Sequence, residues 1–246
     1  MKKIISTLAM LSTVAVVSNA DFTRVEMGVG SWSQSSKGHI QRTDSDGPLS
    51  LDGTYTSAEK DASQMYAWAL IKHPIPVIPN LRLEYVTLSD EGTTTGSIDG
   101  TPVTSSPTKF DVTQYDVIPY YNLIDNTAWV TLDLGIDIKV LETKANVDSI
   151  AFSEKETVAM PMVYARTRVE LPLTGLGAEA DAKYITYSGN TMYDARIKVD
   201  YTLDITPVVQ PGIEVGYRIQ KLKVDDGSTQ VDLDYSGVYA GLMLRF

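Results

Sequence analysis

The sequence predicts an all-β fold, a transmembrane antiparallel β-barrel of ten strands, with eight as the alternative count. Three observations predict it. Apolar and polar residues alternate over runs such as Ala128 to Val140, longer than the roughly 5 to 6 residues of a soluble strand and long enough for the roughly 9 to 11 of a tilted membrane strand. The polar side of these runs carries ionisable residues in series, which a dry core would not accept unpaired. Beyond the N-terminal segment there is no apolar run of about 18 residues, so helices do not span a membrane.

The N-terminus comes first. Met1-Lys2-Lys3 is cationic, Ile4 to Val17 is apolar apart from Ser and Thr, and Ser18-Asn19-Ala20 is small. This is the layout of an export signal, residues 1–20, with cleavage between Ala20 and Asp21. Residues 21–246 then form the mature domain. Losing Lys2 and Lys3 leaves 19 of the 21 basic residues against 31 acidic ones, a formal charge near −12, which argues against nucleic acid. With no Cys, a disulfide scaffold, a thiolate metal site and a thiol nucleophile are excluded.

Ten strands are read at about 22–33, 63–72, 81–89, 110–121, 127–142, 157–171, 177–187, 191–203, 212–224 and 231–246. In the fifth, Leu132, Leu134, Ile136 and Ile138 oppose Asp133, Asp137 and Lys139. In the eighth, Ala195, Ile197, Val199 and Tyr201 oppose Asp194, Arg196, Lys198 and Asp200. Apolar outside and charged inside is the pattern of a membrane barrel. The connecting segments 34–62, 90–109 and 143–156 read as long polar loops, whereas 73–80, 122–126, 172–176 and 204–211 read as compact turns rich in Pro, Gly, Asn or Asp. Long loops on one side and short turns on the other suit a barrel whose termini return to the periplasmic side. Tyr66, Trp68, Tyr85, Tyr115, Tyr121, Tyr193 and Tyr217 read as an outward aromatic girdle.

The inward charges form the candidate site, a lumen charge network of Arg82, Glu84, Asp133, Asp137, Lys139, Arg166, Arg168, Glu170, Asp194, Arg196, Lys198, Asp200, Glu214 and Arg218. Arg24, Glu26, Asp116, Glu179, Asp181, Lys183 and Arg245 share that face and bring the set to 10 basic and 11 acidic groups. Near-cancelling charges in a narrow lumen imply paired side chains and a closed or nearly closed barrel, since wide aqueous channels need about 16 to 18 strands. His39 and His73 are the two histidines. His39 with Asp44 and Asp46 raises a surface hydrolase or acyltransferase, while His73 opens a Pro-rich turn and suits backbone hydrogen bonding there. No cofactor motif or metal-ligand spacing is present.

Two segments carry a resemblance. Val238, Ala240, Leu242, Leu244 and the terminal Phe246 share one face. This resembles the last strand of bacterial outer-membrane proteins, which implies that Phe246, Leu244 and Leu242 are read by the barrel assembly machinery. The stretch from Tyr66 to Tyr85, centred on His73-Pro74-Ile75-Pro76-Val77-Ile78-Pro79-Asn80, resembles a proteobacterial family of small outer-membrane β-barrel proteins without assigned chemistry. The segments 120–126, 132–135, 169–177 and 214–218 are similar to later parts of it. The resemblance implies residence in the outer membrane; on general grounds the chain is then expected among lipid and lipopolysaccharide, as a monomer. The readings that follow are a non-enzymatic closed barrel acting through its loops, a small pore for ions or solutes, and the surface enzyme.

Overall fold

The computed structural model describes residues 23–44, 51–58, 61–98, 100–147, 152–203, 205–206, 208–225 and 229–246. The cleavage site at Ala20 and Asp21 lies outside them. The described residues form one antiparallel sheet of eleven strands: β1 (Arg24–Asp44), β2 (Leu51–Ser57), β3 (Asp61–Lys72), β4 (Asn80–Ile98), β5 (Thr101–Thr127), β6 (Val130–Val147), β7 (Phe152–Glu170), β8 (Leu176–Tyr187), β9 (Asn190–Thr202), β10 (Gln210–Asp225) and β11 (Thr229–Arg245).

From β4 to β11 each strand pairs with the next, and β11 pairs back onto β1 from Glu26↔Arg245 to Arg42↔Thr229. β2 and β3 both lie between β1 and β4. β1 pairs with β3 from Arg24 to Ser35 and with β2 from His39 to Asp44. β4 pairs with β3 from Leu81 to Val86 and with β2 from Gly92 to Ile98.

β2 lies within a segment read from sequence as loop. The stretches 90–109 and 143–156 are also largely strand, running to Ile98 and from Thr101, and to Val147 and from Phe152. The first of these, 90–109, is rich in Thr and Ser, so the apolar alternation that marks a strand is missing although β-branched Thr still favours extended backbone. A second boundary moves at 122–126, which belongs to β5. The turn falls instead at Ala128 and Trp129, whose φ values of 52° and 66° are those of the two central residues of a type I′ hairpin.

The two sheet faces differ sharply. Leu134, Ile136 and Ile138 are exposed while Asp133, Asp137 and Lys139 between them are 0% exposed. Ile197 and Val199, Ile213 and Val215, and Val238 and Leu242 are likewise exposed beside buried Lys198, Glu214 and Tyr239. On β10 the exposed face is apolar from Ile213 to Ile219 and becomes charged at Lys221 and Lys223. Lys221 meets Asp234 at 3.0 Å and Asp232 at 3.1 Å, and hydrogen bonds to these two carboxylates hold its ammonium above the usual lysine range.

At the opposite end the compact turns are internally bonded. Ile75 donates its N–H to His73 Nδ1 at 3.2 Å, and His73 Nε2 donates to the Pro79 carbonyl at 3.1 Å, which specifies the neutral Nε2–H tautomer. Tyr121 Oη donates to the Val77 carbonyl at 2.9 Å, tying this turn to β5. The last residue is held too. Phe246 N donates to the Val25 carbonyl at 2.8 Å.

Candidate functional site

Strand alternation places every second residue on the interior face, so each strand contributes charges at a spacing of two. Thirteen of the fourteen residues read as a lumen network are buried, and Glu170 is half-buried at the rim. They meet across strands far apart in sequence.

At the rim near the termini, Arg24 bonds Glu26 and Glu170, and Arg245 bonds Glu26 at 2.7 Å. Arg168 spans this layer and the next. It donates to Glu170 at 2.9 Å and makes a two-pronged contact with Asp200 at 2.7 and 2.8 Å. Such forked pairing suits the planar guanidinium. Deeper, Arg166 joins Asp133 at 2.6 Å to Glu179 at 2.7 Å, and Arg82 joins Glu84 at 2.6 Å to Glu179 at 3.2 Å.

At the centre, Lys183 reaches Glu84 at 2.7 Å and also Asp116, while Lys139 bridges Asp116 at 2.9 Å and Asp194 at 3.1 Å. Arg196 connects Asp181 at 2.8 Å to Glu84 at 2.7 Å, and Arg218 closes on Asp194. Glu214 accepts from Lys198 at 2.9 Å and from Tyr66 Oη and Trp68 Nε1, each at 2.8 Å. Cations that serve two carboxylates weave these pairs into one lattice.

Tyr66 and Trp68 therefore do not belong to an outward girdle. Both are buried, and Arg82 and Lys198 stack over the Trp68 ring at 5.3 and 4.4 Å. Tyr85, Tyr115, Tyr121 and Tyr217 are exposed as expected, and Tyr193 is half-buried. The error has a physical source: both faces of β3 are apolar, with Ala67, Ala69 and Ile71 on the other side, so periodicity alone leaves the facing open. The available signal was glycine. A Cβ on Gly28 would stand 2.3 Å from Trp68 Nε1, so the indole needs the bare backbone there. Also unforeseen are the buried Gln34, Gln114 and Gln220 and the apolar group of Leu141, Met162 and Met192 with Leu222 and Ile185, which line the interior away from the termini.

His39 is exposed on β1, opposite Asp232 and Thr56 on its neighbours. Asp44 lies five residues along the same strand, roughly 16 Å away at about 3.3 Å per residue, and Asp46 lies outside the described residues. Among the described residues no group of three His, Asp or Glu is placed to hold a metal ion.

No protein-family model and no curated protein matches the sequence. Solved structures do. The outer-membrane protease OmpT of Escherichia coli is similar at 10% identity and TM-score 0.47, covering 91% of this chain and 96% of that one. The translocator domain of the autotransporter NalP from Neisseria meningitidis is similar at 12% identity and TM-score 0.40, over 97% and 94% of the two chains. The outer-membrane protein OprG of Pseudomonas aeruginosa is similar at 10% identity and TM-score 0.39, over 92% and 97%. At these identities no residue role passes from any of them to this chain.

Proposed function

We propose that this chain is a ten-walled outer-membrane β-barrel, non-enzymatic and monomeric, that forms a narrow passage for ions or small solutes, shut in its resting state by the ion-pair lattice. Ten walls follow from counting β2 and β3 as two parts of one wall between β1 and β4. The pairing supports closure. From Ser36 it runs through Tyr235, Gln220, Asp194, Lys183, Tyr164, Gly135 and Tyr120 to Asn80. One residue beyond the Leu81–Ile71 pair, it continues through Lys72 to Arg24, twelve residues before Ser36. A stagger of this kind is what tilted strands need to close a cylinder.

The exposed apolar face meets outer-membrane lipid, and the polar hairpins beyond it meet lipopolysaccharide. Leu242, Leu244 and Phe246 on the closing strand serve as the signal for the barrel assembly machinery, and cleavage after Ala20 releases the mature chain.

One observation carries the passage reading. The interior from Glu26 to Asp194 is filled with shared ion pairs where apolar side chains would fill the same space. Replacing buried ion pairs by apolar groups is often neutral or stabilising, so stability alone does not account for the lattice. Ionisable groups at membrane depth mark ion and substrate pathways by default. The second reading is a permanently shut barrel acting through its hairpins, favoured by the near-complete burial of these charges.

Recording in planar bilayers separates the two. Discrete conductance steps are expected from the parent, more frequent after Lys183→Ala, which removes the cation shared by Glu84 and Asp116. Silence from both proteins at all voltages would reject the passage.

A further inference from the structure

Asp137 stands apart in the lattice. It is 0% exposed on β6, beside Met162 of β7. Neither carboxyl oxygen has a hydrogen-bond partner among the described residues. Every other carboxylate of the interior set accepts at least one hydrogen bond from a cation; Asp133 takes Arg166, Asp116 takes Lys139 and Asp200 takes Arg168. The charged groups around Asp137 are Lys183, Asp116, Lys139 and Glu84. Lys183 Nζ is 3.9 Å from it, but 2.7 Å from Glu84 and closer still to Asp116, and Lys139 is turned to Asp116 and Asp194. The nearby cations are therefore committed elsewhere.

An ionised carboxylate buried with no protein donor on either oxygen is costlier than the neutral acid. We propose that Asp137 is a proton-binding site, its carboxyl group held as the neutral acid in the folded protein at neutral pH. Lys183 Nζ has four carboxyl groups within 4 Å, on Glu84, Asp116, Asp137 and Asp194, and the proton removes one negative charge from this crowd. The assignment holds whether or not the lumen conducts.

Infrared spectroscopy of the folded protein in lipid at about pH 7 tests it, since exposed Asp and Glu, with usual values near 4, are then ionised. A C=O stretch of a protonated carboxyl group is expected. It should move to lower frequency when aspartate is labelled with carbon-13 at its side-chain carboxyl, vanish in Asp137→Asn and persist in Asp133→Asn. Absence of the band in the parent, insensitivity to labelled aspartate, or survival in Asp137→Asn would each overturn the proposal. The labelling result needs no variant, so it stands even if a substitution blocks folding. Asp137→Asn should unfold at the parent's denaturant midpoint, and a loss as large as that of Asp133→Asn would also count against it.

Discussion

Arg168 on β7 and Asp200 on β9 make a two-pronged ion pair across the intervening strand β8, and they can do so because the β8 residue between them is Gly177. A Cβ at that position would lie 2.4 Å from Arg168 Nη2 and 2.9 Å from Asp200 Oδ2. The pair therefore depends on three strands at once. Asp200→Asn removes the charge that Arg168 needs while keeping its shape. The expected cost is about 3 to 5 kcal/mol, the usual penalty for leaving one member of a buried pair uncompensated, read by urea unfolding in lipid vesicles. Gly177→Val should lower the midpoint as well, and a midpoint equal to the parent's would show that the contact is slack.

Glu214 gathers three donors, Lys198, Tyr66 and Trp68. Glu214→Leu strands all three and leaves the Lys198 ammonium buried without its closest anion. A loss of about 3 to 5 kcal/mol is expected, with a change in Trp fluorescence of the folded state because the Trp68 indole loses its acceptor. Unaltered emission would argue against the contact.

The exposed apolar face makes a depth-dependent prediction. Val199 lies midway along the apolar stretch of β9, whereas Ser33 sits on β1 where the outward face has already become polar. Val199→Arg should cost about 2 to 4 kcal/mol in folding into lipid vesicles and Ser33→Arg about 0 to 1. Equal costs at the two sites would contradict a bilayer around this face.

The Pro-rich turn is pinned by one tyrosine. Tyr121→Phe deletes the hydrogen bond to the Val77 carbonyl and should weaken the turn by about 0.5 to 1.5 kcal/mol. Amide hydrogen exchange at Ile75, Val77 and Ile78 should quicken, with the strands of the sheet unaffected.

Period two, held over many residues, was enough for the sequence alone to determine strands, their direction relative to water, and the inward side of Asp133, Lys139, Arg196 and Asp200. That inference is local, because neighbouring side chains on a strand must point to opposite faces. Tertiary structure decided what local alternation leaves open. The facing of Tyr66 and Trp68 depended on the space over Gly28, the Thr-rich hairpins became strands through their ladders with neighbours, and the partners of the charges come from as far as 219 positions away. Asp137 shows the difference most plainly: its place on the inner face follows from its parity with Asp133 and Lys139, but that every nearby cation turns to another carboxylate emerges only when β4, β5, β8 and β9 converge on it.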